Sequence, residues 1–350
     1  MVDWTTAFNT ATKLVKRSPE ISRDGAAAVV AELREAAARA EAYVTEVTGL
    51  EADANTAPVL VVDRPNWIQA NLDSFQHLLV PLNDKATAKL KEGNPTLAQL
   101  GSQVTGVEVG ALFSYLAPKV LGQFDPFHPG GRLLLVAPNI VAVERELEVD
   151  PTDFRLWVCL HEETHRVQFT AVPWLRAYLK GLVTELIDSA ELDPQVLTQM
   201  LGDAAKRLVE SLTSDDELSI IDLVQTPAQR ETVDKITAVM SLLEGHADIV
   251  MDRVGPEVIP TVAQIRSKFT IRRQGQGFDK IIRKLLGLDA KMRQYRDGAA
   301  FCRVAIAQVG MEGFNRVWTS VETLPTKAEI AEPLLWLERM QPPAPFPDAG

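Results

Sequence analysis

Histidine and cysteine are scarce in this chain, five and two among 350 residues. Two cysteines, Cys159 and Cys302, cannot build a disulfide framework and read as buried thiols in a reducing compartment. Cys159 stands two residues before His161, where a helix would aim it elsewhere. Long apolar runs are also missing: no window approaches the roughly 20 residues that a membrane span needs. The first twenty residues, MVDWTTAFNTATKLVKRSPE, lack the charged start and apolar stretch of a signal peptide, and no pro-segment is evident. A cytoplasmic protein is expected, with no membrane partner. Basic residues are outnumbered, 36 against 47 acidic, for a net charge of -11. Such a balance argues against a nucleic-acid partner, because phosphate contacts need clustered Lys and Arg. What remains is an ordinary globular composition, 46% hydrophobic and 24% charged, long enough for a substantial core.

Helical periodicity dominates the chain. From Asp24 to Val47, Val29, Leu33, Ala37, Ala40, Val44 and Val47 recur at helical spacing before Gly49. Thr56 to Asp63 is a short β-branched run that reads as a strand. Helices are expected over Asn66–Val80 and Gly106–Leu121, and an aromatic loop over Phe124–Gly131. Arg132 to Ala137, apolar and bounded by Gly-Gly and Pro138-Asn139, reads as a second strand. Two long helices follow. Asp150 suits an N-cap, Pro151 the first helical position and Asp153 the acid facing the dipole, with the helix running to about Phe169. Thr226-Pro227-Ala228-Gln229 is a capping-box pattern, and its helix should stop near Arg253, before Gly255-Pro256. The proline-rich residues 341–350 read as a disordered tail. The rest, 1–340, is expected to be one integrated unit, with a helical part to about residue 130 and a metal-site part beyond. The fold class expected is mainly α (α+β) with a small sheet.

Residues 161 to 165 read His-Glu-Glu-Thr-His. On a helix, positions four apart differ by about 40° around the axis, so both imidazoles project from one face. That spacing lets His161 and His165 reach one Zn²⁺, the expected cofactor. Glu162 flanks the metal without ligating it, placed to act as general base. In a chain with five histidines the pattern seldom arises by chance, and here it falls inside a well-capped helix. A catalytic zinc takes three protein ligands and leaves one position open. The extended motif with a third histidine is absent, since Gln168 and Ala171 stand where its glycine and last histidine would be.

The third ligand must therefore come from elsewhere, and Leu243-Glu244-Gly245-His246-Ala247-Asp248 offers it. Glu244 and Asp248 are four apart and share a face. They resemble the glutamate-zincin arrangement, in which the Glu binds zinc and the Asp holds the free ring nitrogen of a ligating histidine. Gly245 would let the two helices approach closely. His246 lies about 200° round the helix from Glu244, so a regular helix cannot aim both at one metal. It stays open as an alternative third ligand, an oxyanion donor or a satisfied core histidine. Other oxyanion candidates are Tyr178, Arg272, Arg273, Tyr295 and Arg296. Strand Arg132–Ala137 reads either as the edge strand that pairs with an extended substrate or as an ordinary core strand.

DPTDFRLWVCLHEETHRVQF, Pro173-Trp174-Leu175, LEGHADIVMD and LLGLDAKMRQYRDGAAFCRVAI…GFNRVWTSVETLPT resemble the actinobacterial DUF2342 family. Its members are described as zincin-like, mostly helical metalloproteases and often carry a coenzyme F420 biosynthesis-associated label. The likeness runs from about Val62 to Trp336. It implies a zincin-like core with metal roles for His161, His165 and Glu244, catalysis by Glu162, and support by Asp248. The expected function is zinc-dependent hydrolysis of a peptide. The rivals are a zinc amidohydrolase acting on a small cofactor-like amide and a non-catalytic zinc scaffold.

Overall fold

A computed structural model describes residues 2–52, 57–79, 95–189, 226–275 and 293–340, with backbone only for 95–100, 189, 273–275 and 293–296. Residues 341–350, expected to be a tail, lie outside the described residues. Helix α1 spans Trp4–Leu14 and α2 spans Arg23–Thr48. Ser22 opens α2 by accepting the Gly25 N–H at 3.1 Å. Gly49 closes it in the left-handed region (φ 68°), where a side chain would be strained. The buried stripe Val29, Leu33, Ala36, Ala37, Ala40 and Val44 is rich in alanine, and its small residues let α2 lie close along the metal-motif helix.

Three strands form one sheet in the order β1-β3-β2, with β1 at Val59–Val62, β2 at Gly122–Asp125 and β3 at Arg132–Val136. β1 runs parallel to β3 (Val59 opposite Leu133) and β2 antiparallel to it (Gly122 opposite Leu135). Every residue of β3 is buried. Leu134 and Val136 join a cluster with α1, α3 (Arg64–Leu78) and α4 (Pro95–Leu116), while Leu133 and Leu135 face the opposite side. Of the two readings open for Arg132–Ala137, a substrate-pairing edge strand or an ordinary core strand, the structure therefore has the second. RLLLV is apolar at four successive positions because both faces are covered and both edges are paired. The edge nearest the motif helix is β2. It takes in Phe124 and Asp125 of the expected aromatic loop; Gly122 and Asp125 have little strand propensity, and pairing with β3 overrides that. Ala137 instead begins α5 (Ala137–Leu147).

Helix α6 covers Pro151–Ala171, with Asp150 accepting the Asp153 N–H at 2.9 Å. α7 (Pro173–Ser189) follows, then α8 (Pro227–Val258), whose Thr226–Gln229 capping box is formed on both sides. Gly255 breaks α8 with φ 59° and ψ -167°, close to the expected stop. α9 (Val262–Gly275) and α10 (Arg293–Phe314) complete the scaffold, with α11 (Lys327–Ala331) and α12 (Pro333–Met340) after two short 3₁₀ turns. The fold is mainly α with a small sheet. No described helix is long and apolar enough to cross a membrane.

α6 runs through the middle, packing against α2, α8, β2 and β3. On its side toward α2 and α5, buried carboxylates are paired with arginines. Arg155 grips Glu144 through two hydrogen bonds (3.0 and 2.6 Å) and also reaches Glu32. Arg166 joins Glu163 (2.6 Å) to Glu41 (2.7 Å). Gly245 serves a different crossing from the expected one: a Cβ there would lie 2.2 Å from the Gly298 carbonyl carbon, so it admits α10 rather than the motif helix.

Candidate metal centre

His161 and His165 sit one turn apart on α6, rings nearly perpendicular (88°) and centroids 4.7 Å apart. Their Nε2 atoms approach to 3.3 Å. Glu244, on α8, brings one carboxylate oxygen to 3.6 Å from His161 Nε2 and the other to 3.6 Å from His165 Nε2. Two ligands each about 2.0–2.1 Å from a tetrahedral zinc stand about 3.3–3.4 Å apart. The three side chains thus have both the spacing and the donor set of a divalent-metal site, and they are the group among the described residues that could hold an ion. Solvent reaches them: their side chains are 23%, 12% and 30% exposed, while the α6 residues around them are buried.

Glu162 is buried, and burial, followed by the negative charges of Glu244 and Glu163, pushes its carboxyl up to about 8. It lies against the edge strand. A Cβ at Gly122 would stand 2.5–2.8 Å from Glu162 Cγ, Cδ and Oε1, so only glycine lets that carboxylate reach the sheet. Glu163 turns the other way, into the Arg166–Glu41 cluster. Its burial pushes it up to about 7 against the pull of Arg166.

The role expected of Asp248 is not seen, and His246 takes the core position among its open readings. Asp248 is exposed and hydrogen-bonds neither histidine through its side chain; only its carbonyl is engaged, by Arg266 at 3.4 Å. The ring nitrogen of His165 is instead held by Gln168, whose Oε1 lies 3.0 Å from Nδ1. Gln168 had been noted only as a departure from the extended motif. The signal that could have found it is its (i, i+3) spacing from His165. His246 is fully buried, outside the three-residue group. Its Nδ1 lies 2.9 Å from Gln168 Nε2, and its ring packs on Phe314 and Trp318. Burial first, then the charges of His165 and Arg253, lowers it to about 3, so it is neutral.

Of the oxyanion candidates, Tyr178 packs edge-on against Trp174, and Arg272 pairs with Glu146 at 3.1 Å. The side chains of Arg273, Tyr295 and Arg296 lie outside the described residues.

A family profile described as zincin-like metallopeptidase matches residues 2–337. A crystal structure from Chloroflexus aurantiacus, of a provisionally assigned hydrolase with a novel fold, is similar over 97% of this chain and 99% of its own. The identity is 31% and the TM-score 0.71. No curated protein matches.

Proposed function

The chain belongs to the zincin-like metallopeptidase family, and we propose that it is a zinc-dependent hydrolase that cleaves peptide bonds. The observation that carries this reading is the 3.3, 3.6 and 3.6 Å triangle of His161, His165 and Glu244 donor atoms. Those three residues would hold the metal. Zinc, when bound, supplies Lewis acidity, polarising a carbonyl and lowering the pKa of water. Glu162 takes a proton from the attacking water and returns it to the leaving amine nitrogen. Its burial against Gly122 fixes the carboxylate in one place and keeps bulk water from competing for it.

The strand edge supports a peptide substrate over a small cofactor-like amide. Among the described residues β2 pairs only with β3, so its outer edge offers backbone N–H and C=O groups to an extended chain beside Glu162. The three-membered donor group, partly exposed to solvent, supports a catalytic site over a structural one, which four protein ligands would close. The test is metal analysis of the purified protein, with Glu244→Ala and His246→Ala beside it. One zinc per chain, lost in Glu244→Ala and kept in His246→Ala, followed by metal-dependent cleavage of a peptide library, is the expected result. No zinc uptake on reconstitution would overturn the proposal.

A further inference from the structure

We infer that Gln168 is the positioning residue of this centre: one side-chain amide sets the tautomer of His165 and locks the two ligand-bearing helices in register. The inference rests on the metal reading of His161, His165 and Glu244, and it concerns what makes those donors converge.

The logic starts from a group whose polarity is beyond doubt. The carbonyl oxygen of Leu243 can only accept a hydrogen bond, and Gln168 lies against it at 3.0 Å. The amide must therefore present its NH₂ to Leu243, because the flipped orientation would set two oxygens face to face. The same NH₂ then faces His246 Nδ1 at 2.9 Å, which makes that nitrogen an acceptor and puts the His246 proton on Nε2. The other end of the amide, Oε1, is left facing His165 Nδ1 at 3.0 Å. Since Oε1 only accepts, Nδ1 of His165 carries its proton and Nε2 carries a lone pair. That lone pair points toward His161 and Glu244, where a metal ligand needs it.

One main-chain carbonyl on α8 is thus read through one amide into the protonation pattern of an imidazole on α6. The clamp is also mechanical. Leu243 precedes Glu244, so the hydrogen bond fixes the height on α8 at which the third ligand emerges opposite His165. The amide and its neighbour are shielded: Gln168 and His246 are fully buried, and Phe314 and Trp318 hold the His246 ring. In this dry setting an unmatched amide costs more than at a surface, so alternative orientations are suppressed.

A glutamate would discriminate this role from that of a simple hydrogen-bond acceptor. As an acceptor for His165, Glu is as good as Gln or better. As a clamp it fails, because its second oxygen would face the Leu243 carbonyl. The experiment has two readouts. Long-range ¹H–¹⁵N correlation on the metal-free wild-type protein, with His165→Gln to assign the ring signals, should show His165 in the Nδ1–H form. A predominant Nε2–H form would overturn the inference, whatever becomes of any variant. Zinc affinity by chelator competition should weaken by about 10- to 100-fold in Gln168→Ala. Gln168→Glu should also weaken it by about tenfold or more. Wild-type affinity in either variant would overturn the clamp. A wild-type protein that takes up no zinc would instead sink the functional reading, while the tautomer measurement would still decide this one.

Discussion

The two sides of α6 solve opposite problems with the same residue types. Toward α2 and α5, each buried carboxylate meets an arginine: Glu144 with Arg155, Glu163 with Arg166. Toward α8, two imidazole nitrogens and a carboxylate converge within 3.6 Å, and Glu162 is buried beside them. A fold tolerates buried carboxylates on the first side because the charge is neutralised internally. On the second side the surplus of lone pairs is itself the specification for a divalent cation. Adjacent residues, Glu162 and Glu163, fall on different sides of this line because successive side chains diverge by about 100° round a helix.

The comparison breaks if substitutions on one side act like those on the other. The largest effect is expected from Glu162→Gln. It should lower peptide cleavage by about 10²- to 10⁴-fold, the range typical of a lost general base, while zinc content stays at wild type. Elemental analysis beside a single-substrate assay checks both halves. Arg166→Ala on the matched side should leave zinc binding intact but cost about 3–5 kcal/mol of stability, because it strands Glu163 unneutralised. Denaturant unfolding measures it, and a loss below about 1 kcal/mol would show that Glu163 does not depend on Arg166 for its neutralisation. Metal removal should cost less. Saturation at 100 times the dissociation constant stabilises by about 2.7 kcal/mol, so a chelator should lower the melting temperature of the wild type and leave Glu244→Ala unmoved.

The smallest effect lies away from both sides, at Glu329. Burial raises its carboxyl, but Arg339 and the hydrogen bonds at Thr326 outweigh that and hold it below the usual carboxylate range. A depressed folded value contributes stability above the unfolded pKa, and that stability is lost as pH falls through the folded value. Glu329→Gln should therefore narrow the stability difference between pH 7 and pH 3. An unchanged difference would show the Arg339 contact to be inert.

Legibility in the sequence followed the range of the interaction. Caps were readable because they span three residues: Asp150 to Asp153, and Thr226 to Gln229. His161 and His165 were readable as neighbours for the same reason, since four residues of helix fix their separation without help from the rest of the chain. The strand at Gly122–Asp125 was not, because its residues disfavour extended structure and only β3 recruits them. Asp248 looked like the partner of a ligating histidine from its spacing to Glu244. The packing of α8 leaves Asp248 exposed, and Gln168, three residues on from His165 in the same helix, holds its ring nitrogen instead.

The sequence by itself determined that the chain is mainly helical and that a histidine pair with an adjacent glutamate sits on one capped helix. Hydrogen-bond periodicity and a four-residue repeat are local properties, and the chain carries them wherever it goes. Only the tertiary structure decided that Glu244 rather than His246 meets the pair, that the Gln168 amide reaches Leu243 on α8, and that β2 is the edge strand beside Glu162. Each depends on the register of one element against another 40 to 83 residues away in sequence, as between residues 122 and 162 or 161 and 244. That register is set by what the core can bury, such as the contact of Gly245 with Gly298, rather than by any pattern within a single helix.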